Sequence, residues 1–539
     1  MEQFTADEKE LLKPFVTNLD KSVFALVNLP EVVKGALFSR YSRSAKNLRR
    51  LLIDEFIKAP EMGFKEIVGF QIEQGVNQIV AIKKAEEFYD RILVGYGDDS
   101  VSELGGAHLA VENISNIATK VIEDSRIGIS PLEKSSRYVY FDDKVDGQYR
   151  YFRDPDIMGS KFAYLYLQTC DLLFDNYAKL IKPMTNFVTE RFPQQTASDR
   201  AYAAAVRAKV CDIIRVLLPA GTLTNVGLFG NGRGFEYLIT KMTAHPLKEI
   251  PMLAMSMHEE LSKVIPSFVK RATNQYGIET KQYLNETRIG MENVVHEILE
   301  KENMQEKPHL DLVKWDSEAE VKVVAAMLFP YSQLSMKKLI ELVKSMDEEK
   351  RKKIIKEYLS RRTNRRHKPG RALENAQYTF DICTNYGIYR DLHRHRMLTQ
   401  ERQELTVKNG FDTPKELIDA GFQKEYEEVM NASKDAFEQI FPVFPKQAQY
   451  VVAMGFRLGW YFTLSLREFY FLTELRSSQQ GHPDYRKVAQ QMFLKVKEVH
   501  PNLTEFIKFV DMNDYPLERL TSEMNIDKKM EELKKKYGS

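Results

Sequence analysis

The chain carries one set of short motifs twice, and each copy has kept different members of the set. The first copy has a Glu-x-Ser-x-Arg motif at 133–137 and an Asn-Gly-Arg motif at 231–233. The second copy has an Arg-His-Arg motif at 394–396 and a Ser-Leu-Arg motif at 465–467. A motif order that occurs twice predicts a fused duplication, so the chain has to fold as two related repeats.

The spacing of flanking residues supports the duplication. Arg215 lies sixteen residues before Asn231, and Gln449 lies sixteen residues before Ser465. A length of 539 residues is also too long for one ordinary hydrophobic core. We therefore predict a first repeat at 1–300, a connection at 301–320 and a second repeat at 321–539. The connection is rich in charge and contains a proline.

Composition narrows the class of protein. A hydrophobic fraction of 43% and a charged fraction of 29% are typical of a globular protein. A net charge of +2 gives no long-range attraction to polyanions, so phosphate contacts must come from local clusters. Three scattered cysteines indicate a reducing, cytoplasmic setting and no disulfide framework. The N-terminus lacks signal-peptide order, and the most apolar stretch, 451–472, is broken by charges. We expect neither a membrane span nor a metal site.

The pattern of apolar residues favours an α+β fold that is mainly helical. Apolar residues at 110, 114, 117 and 121 predict one helix, and 376, 380, 383 and 387 repeat that spacing. A further helix is predicted at 464–476. Short strands are predicted at 138–141 and 451–462.

Arg394, His395 and Arg396 place two guanidiniums and an imidazole within one turn. Guanidiniums suit phosphate or pyrophosphate, and an imidazole can stack on a heteroaromatic ring. A solvated basic helix end is the alternative. The nearby basic stretch at 361–371 also leaves nucleic-acid binding open, although it has no aromatic platform and the net charge is close to zero.

Together these motifs resemble those of the flavin-dependent thymidylate synthases. In that family Arg-His-Arg, followed after a short loop by Ser-x-Arg, binds FAD and deoxyuridylate. The stretches at 97–103 and 367–374 are also similar to the family's lead-in segments. The resemblance implies two tandem thymidylate-synthase-like repeats.

Carried over residue by residue, the resemblance divides the candidate site residues into two sets. It assigns substrate nucleotide binding to Glu133, Ser135, Arg137, Arg215 and Arg476. It assigns flavin binding to Asn231, Arg233, Arg394, His395, Arg396 and Arg467.

Each repeat departs from the family pattern in a different place. The first repeat has Glu123–Arg126 where the family has Arg-His-Arg. The second has Glu404 and Thr406 at the Ser and Arg positions, and Gln449 at the pyrimidine arginine. Because family sites form between subunits, we hypothesise that one repeat supplies nucleotide contacts and the other supplies flavin contacts.

The resemblance implies FAD-dependent methylation of dUMP to dTMP, with methylenetetrahydrofolate and NADPH as further ligands. Arg215 and Ser135 are the expected catalytic residues, because a buried guanidinium stabilises negative charge on uracil and a hydroxyl suits phosphate. We expect a homo-oligomer, a dimer that forms a pseudo-tetramer. A non-catalytic descendant that binds flavin or nucleotide, and a flavin-dependent methyltransferase for another pyrimidine, stay open as alternatives.

Overall fold

The computed structural model describes residues 3–42, 44–58, 102–300, 302 and 309–538. These residues form the predicted α+β, mainly helical fold. The chain divides into two compact units, and each unit is built from separate stretches of sequence. The first unit comprises Met1–Ile114, Ala118–Glu133 and Thr224–Glu302, and the second comprises Ser115–Ile117, Lys134–Leu223 and Asn303–Ser539.

The first part of the chain forms α1 (Ala6–Leu12), α2 (Glu31–Tyr41), α3 (Leu48–Leu51), β1 (Gly106–Ser115), α4 (Asn116–Glu123), β2 (Ile129–Glu133), α5 (Pro155–Met158), α6 (Ala163–Arg191), α7 (Asp199–Ile214), β3 (Leu223–Asn231), α8 (Gly232–Thr243), α9 (Glu249–Ser262), α10 (Pro266–Val269) and α11 (Gln275–Leu299). The second part forms β4 (Leu310–Trp315), α12 (Ala319–Leu328), α13 (Met336–Lys344), α14 (Glu348–Leu359), β5 (Gln377–Asn385), α15 (Tyr386–Leu392), β6 (Leu398–Arg402), α16 (Lys415–Asp419), α17 (Gln423–Ile440), β7 (Arg457–Ser465), α18 (Leu466–Arg476), α19 (Pro483–Val499), α20 (Pro501–Thr504) and α21 (Leu520–Tyr537).

The sheet of the first unit has the strand order β1-β3-β2. β2 and β3 are antiparallel, with Ile129 opposite Gly230 and Glu133 opposite Val226. β3 leads directly into α8, where Asn231 is the N-cap and its side chain accepts from the Gly234 N–H. An asparagine is favoured at this position because its side-chain oxygen satisfies an unpaired backbone donor.

The sheet of the second unit has the order β4-β5-β7-β6, with all neighbours antiparallel. Its β5-β7-β6 part repeats the strand order of the first sheet. β7 leads into α18, where Ser465 is the N-cap, as Asn231 is for α8. The same succession of strand, capping residue and helix in both sheets supports the predicted tandem repeats.

Within the second unit, the stretch that follows Arg215 pairs with the stretch that follows Gln449. Each hydrogen bond between 216–221 and 450–455 has a counterpart in which the two repeats exchange roles. The pairs are Ala220 N–H to Val452 O (2.8 Å) with Met454 N–H to Leu218 O (2.9 Å), and Gly221 N–H to Tyr450 O (2.9 Å) with Gly455 N–H to Val216 O (2.8 Å). The two stretches are therefore related by a local twofold pseudo-symmetry.

Two predicted helices begin later than expected, because the first part of each is a strand. Ala110 and Ile114 lie in β1, and Phe380 and Cys383 lie in β5; a helix begins only at 116 or at Tyr386. The spacing of three and four matches one face of a helix, but in β1 Ala110 is exposed and Ile114 is buried, so these residues do not share a buried face of the strand. Pairing with distant strands decides between helix and strand.

The predicted strands were also corrected. Residues 138–141 form a turn and coil, and the exposed side chains of Tyr138 and Val139 leave no buried face for a strand to present. In the second repeat the strand begins at Arg457, because 450–455 already pair with 216–221. The helix predicted at 464–476 is confirmed from Leu466 onwards. Part of the predicted connection forms β4.

Among the described residues, no helix combines the length and the apolar character that crossing a bilayer requires.

Candidate functional site

Four arginines of the second unit lie around two buried aspartates. Arg137 lies in the turn after β2, and Arg215 begins the 3₁₀ turn after α7. Arg394 follows α15, and Arg476 is the last residue of α18. Two arginines therefore come from each predicted repeat. The arginine cluster is defined as the side chains of Arg137, Asp212, Arg215, Asp391, Arg394 and Arg476.

Arg137 and Asp212 form a buried two-bond ion pair. Arg137 Nε lies 2.8 Å from Asp212 Oδ1, and Nη2 lies 2.7 Å from Oδ2. Nη1 of Arg137 is also 3.4 Å from Gln480 O and from Tyr485 Oη. Burial alone would lower the pKa of Arg137, but Asp212 outweighs it and raises that pKa. Burial would likewise raise the pKa of Asp212, but Arg137 holds it low.

Arg215 reaches Asp391 from the other repeat. Its Nη2 lies 2.8 Å from Asp391 Oδ2 and 3.3 Å from Gly387 O. Arg394 Nη2 approaches the second oxygen of Asp391 at 3.4 Å. Burial disfavours the charged carboxylate, but Arg215, Arg137 and Arg394 together hold the pKa of Asp391 far below its ordinary value. Both aspartates are therefore ionised at neutral pH.

These pairs differ from the pairing that local sequence alone would favour. Asp212 lies three residues before Arg215 and could pair with it on one helix face. In the structure Asp212 instead binds Arg137, and Arg215 binds Asp391. Asp212 and Asp391 thus each stand three residues before an arginine, and each makes its strongest contact with a distant arginine instead.

His395 connects Arg476 to Glu468. Its Nδ1 lies 2.7 Å from Glu468 Oε1, and its Nε2 lies 2.8 Å from Arg476 Nε. Burial lowers the pKa of His395 well below its ordinary value, and Arg476 and Arg394 add to the effect. Both ring nitrogens of this predicted flavin-binding residue are therefore bound to protein groups.

The serines of the 133–137 motif differ in their surroundings. Ser135 Oγ accepts from the Arg137 N–H at 3.2 Å, which shapes the turn. Ser136 is buried, and its Oγ lies 3.4 Å from Arg390 Nη1. Sequence analysis missed Ser136, Asp391 and Tyr485. Only Asp391 gave a signal, because it stands three residues before the Arg-His-Arg motif.

The two other predicted flavin-binding arginines of the second unit are Arg396 and Arg467. Arg396 is exposed. Arg467 donates from Nε to Pro369 O at 3.0 Å and from Nη1 to Glu374 at 2.8 Å. Glu474, seven residues after Arg467 on α18, binds Arg362 at 2.7 Å.

Three predicted site residues belong to the first unit. Glu133 lies 2.8 Å from the buried Lys120 Nζ, and Asn231 caps α8. Arg233 is exposed and lies 2.7 Å from Glu103. Residues 97–101 of the first lead-in motif lie outside the described residues.

A cavity of about 460 Å³ adjoins the arginine cluster within the second unit. Its wall includes Asp212 and His482, with Ile213, Val216 and Ile388 as apolar lining. His482 accepts from the Asp484 N–H at Nδ1 (3.2 Å), which leaves Nε2–H to donate to Asp212 O (3.3 Å). Pro483 therefore begins α19 directly after a histidine N-cap.

The arginine cluster carries an excess of positive charge. Four guanidiniums face two ionised aspartates, and within the described residues Arg476 has no carboxylate partner. Burial, together with Arg394, lowers the pKa of Arg476 more than Tyr485 and Asp391 raise it, as expected for a buried cation with no ion pair of its own. Such a set of donors suits a multiply charged anion.

A family model described as thymidylate synthase complementing protein, Thy1, matches residues 51–267 and 311–502. The chain belongs to the Thy1 family. One matched segment lies in the predicted first repeat, and the other begins in the predicted connection and runs through most of the second repeat. The match confirms two tandem repeats, and their exact bounds stay a prediction. Thy1 membership also confirms the resemblance to flavin-dependent thymidylate synthases.

Other relatives extend the Thy1 match. A UPF0159 protein of Chlamydia pneumoniae is 46% identical, over an alignment that covers 97% of this chain and 98% of that protein. A UPF0159 protein of Thermoplasma acidophilum is 34% identical, covering 91% and 98%. A flavin-dependent thymidylate synthase of Sulfurisphaera tokodaii is 28% identical over 152 residues, 25% of this chain and 56% of that protein. A solved structure, ThyX of Helicobacter pylori complexed with FAD and dUMP, is 15% identical with a TM-score of 0.28, covering 37% of this chain and 98% of its own.

Proposed function

We propose that this Thy1 protein methylates dUMP to dTMP, with FAD as cofactor and methylenetetrahydrofolate and NADPH as co-substrates. The observation that carries the proposal is the arginine cluster, to which both repeats contribute guanidiniums. Because the chain belongs to the Thy1 family, a nucleotide is the anion that we expect the cluster to bind.

The phosphate of dUMP matches the excess charge of the arginine cluster. A phosphate monoester carries close to two negative charges at neutral pH, and four guanidiniums minus two carboxylates leave two positive charges. Arg137 and Arg476 are the proposed phosphate donors, with the Ser135 hydroxyl beside Arg137. Arginine suits this role because its planar donors match phosphate oxygens in pairs.

The uracil ring is assigned to Arg215. This guanidinium is buried, and a charge in a site without water stabilises developing negative charge strongly. Asp391 fixes Arg215 from the opposite repeat, so the guanidinium needs no rearrangement when ligand binds. Glu133 stays a predicted contact, because it lies in the first unit.

The donor set fits FAD in part. Arg394 has a side chain that is 35% exposed and a single 3.4 Å contact to Asp391, so with the exposed Arg396 it can hold the pyrophosphate. The His395 imidazole offers no free nitrogen for the flavin, and Arg467 is held by Glu374. When bound, the reduced flavin supplies the hydride and carries the one-carbon unit. Asn231 and Arg233 stay predicted flavin contacts.

The occupied state of His395 and Arg467 favours one alternative. A descendant that binds nucleotide but has lost flavin chemistry would keep the arginine cluster and let the flavin-binding side chains turn to protein partners. Purified protein separates the two: a yellow preparation with flavin absorbance supports the enzyme, and colourless protein that does not take up FAD supports the descendant.

Two substitutions test the assignment of ligands. Arg137→Ala should weaken dUMP binding in calorimetry and leave flavin content unchanged, whereas Arg394→Ala should lower flavin content. Arg191→Ala is the matched control, because Arg191 forms an exposed pair with Asp419 in the same unit. Complementation of a thymidine-requiring strain then tests turnover. If wild-type protein binds neither dUMP nor FAD, the proposal is wrong.

A further inference from the structure

The side chain of Glu468 contacts a residue distant in sequence, His395, instead of the backbone of its own helix cap. Ser465-x-x-Glu468 is a capping-box sequence, in which the carboxylate normally returns to the backbone of the capping residue. Ser465 Oγ does accept from the Glu468 N–H at 3.3 Å. The Glu468 carboxylate, however, lies 2.7 Å from His395 Nδ1. A tertiary contact has therefore replaced half of a local motif.

The contacts of His395 with Arg476 and Glu468 determine which ring nitrogen carries the proton. A guanidinium only donates hydrogen bonds, so at 2.8 Å from Arg476 Nε the His395 Nε2 must present its lone pair. The proton of the neutral ring then sits on Nδ1 and is donated to Glu468 Oε1. A charged imidazolium would put two donors against each other.

The groups around the Glu468–His395–Arg476 contacts keep the His395 imidazole neutral. His395 faces Arg476, Arg394 and His393, which with burial hold its pKa low. Its ring also packs against the Phe471 ring, with centroids 5.5 Å apart. Burial raises the pKa of Glu468 to about 7, while Lys368, Arg467 and Arg476 act to lower it. A protonated Glu468 still leaves one oxygen to accept from Nδ1–H.

Arg476 lies at the end of this chain of contacts. Its guanidinium carbon lies 5.7 Å from the centre of the Tyr485 ring, and Nε is committed to His395. The same Tyr485 contacts Arg137 in the arginine cluster. Arg476 is therefore held between an imidazole and a phenol.

We propose that Glu468 is a positioning residue, which sets the tautomer of His395 so that His395 Nε2 holds Arg476 ready for an anionic ligand. In this arrangement Nε of Arg476 is hydrogen-bonded to His395, and its Nη groups bind the ligand. The identity of that ligand, dUMP, rests on the proposed function. The positioning itself does not.

The positioning is tested on full-length protein without any ligand. Protein labelled with ¹⁵N-histidine has ten such residues, and comparison with His395→Asn assigns the His395 signals. Wild-type protein should show a protonated Nδ1 and an unprotonated Nε2 at pH 7.5. Glu468→Ala should mix the two tautomers, and Glu468→Gln should keep the wild-type pattern, because its amide oxygen can still accept. A protonated Nε2 in wild-type protein would overturn the proposal.

Binding measurements then ask whether Glu468 acts through Arg476. Glu468→Ala should weaken binding of dUMP, or of inorganic phosphate as a simpler probe, about 10-fold, the order expected for a lost charged hydrogen bond. The double variant with Arg476→Ala should bind no worse than Arg476→Ala alone. Glu498→Gln, an exposed acid on α19, is the control for charge.

The two experiments separate failure of the positioning from failure of the proposed function. Additive losses in the double variant would show that Glu468 does not act through Arg476. Binding of phosphate but not of dUMP would reject the nucleotide assignment and leave the positioning intact. Protein that binds neither probe would reject the proposed function, and the histidine spectrum alone would decide the role of Glu468.

Discussion

Asp212 and Asp391 hold the arginine cluster together at the scale of single residues. Each is almost fully buried and accepts from an arginine far away in sequence. Leaving either carboxylate buried without its partner would cost more than the pair itself contributes. The two aspartates therefore tie the conformation of the site to the stability of the second unit.

Arg137→Ala should destabilise the protein by about 3–5 kcal/mol, because it strands the Asp212 carboxylate away from water. The measurement is the shift of the urea unfolding midpoint at pH 7. Arg191→Ala removes an exposed pair with Asp419 and should cost at most about 1 kcal/mol. Adding Asp212→Asn to Arg137→Ala should recover part of the loss, since the stranded charge is gone. Equal midpoints for the two single variants would contradict this account.

Glu468 should make stability depend on pH. Its pKa rises from 4.5 to about 7 on folding, mainly through burial. A raised pKa means that the folded state binds the proton more tightly, so this contribution is complete below about pH 4.5 and is lost as pH rises through 7. Glu468→Gln should therefore gain stability relative to wild type between pH 5 and pH 8, by about 3 kcal/mol at most. A difference in unfolding midpoint that does not change over this range would refute the expectation.

At the scale of elements, the pairing of 216–221 with 450–455 depends on a close approach of backbones. A Cβ on Gly221 would lie 2.9 Å from Tyr450 O and 3.2 Å from Tyr166 Oη. The carbonyl belongs to a hydrogen-bonded stretch and cannot swing away. This contact is therefore a point where two repeats of one chain leave no room for a side chain.

Gly221→Ala should destabilise the protein by about 1–3 kcal/mol, as expected for overpacking in a tight core. Gly290→Ala is the opposite control, because Gly290 lies within α11 and a Cβ there meets nothing within 4 Å. That substitution should stabilise the helix by about 0.5–1 kcal/mol. Thermal unfolding of both variants beside wild type tests the sign of each change.

The elements also show how far local patterns could predict this fold. The capped helix α18 could be predicted, because Ser465 is a favoured N-cap residue and the residues after it form an apolar helical face. For β5 the helical spacing of 376, 380, 383 and 387 competes with the alternation of Tyr378, Phe380 and Ile382 with polar residues, which is typical of a strand. Only pairing with β4 and β7, which are distant in sequence, decides the outcome.

At the scale of the whole molecule, the compact units do not coincide with the predicted repeats. The second unit takes 134–223 from the first repeat and joins it to 303–539. The motifs predicted which residue types would form a site and that both repeats would contribute. They could not predict that Arg215 would choose Asp391 over Asp212, because that choice depends on how the repeats pack. The predicted homo-oligomer stays a prediction.

Because the second unit draws on both repeats, cutting the chain between them should not separate them. Residues 1–302 and 303–539, expressed together as two chains with a tag on one, should purify as a complex. The hydrogen bonds between 216–221 and 450–455 and the pair of Arg215 with Asp391 would lie between the two chains.

Each piece expressed alone should be poorly soluble, because it would expose residues such as Tyr450 and Leu218 that are fully buried in the whole chain. Ala220→Pro and Met454→Pro remove one hydrogen-bond donor from each chain and should reduce recovery of the complex. If 303–539 folds alone as a stable monomer, the second repeat is an independent domain. In that case the pairing across the pseudo-twofold would contribute little to the fold, and the arginines of the first repeat would have to reach the site by docking rather than by folding.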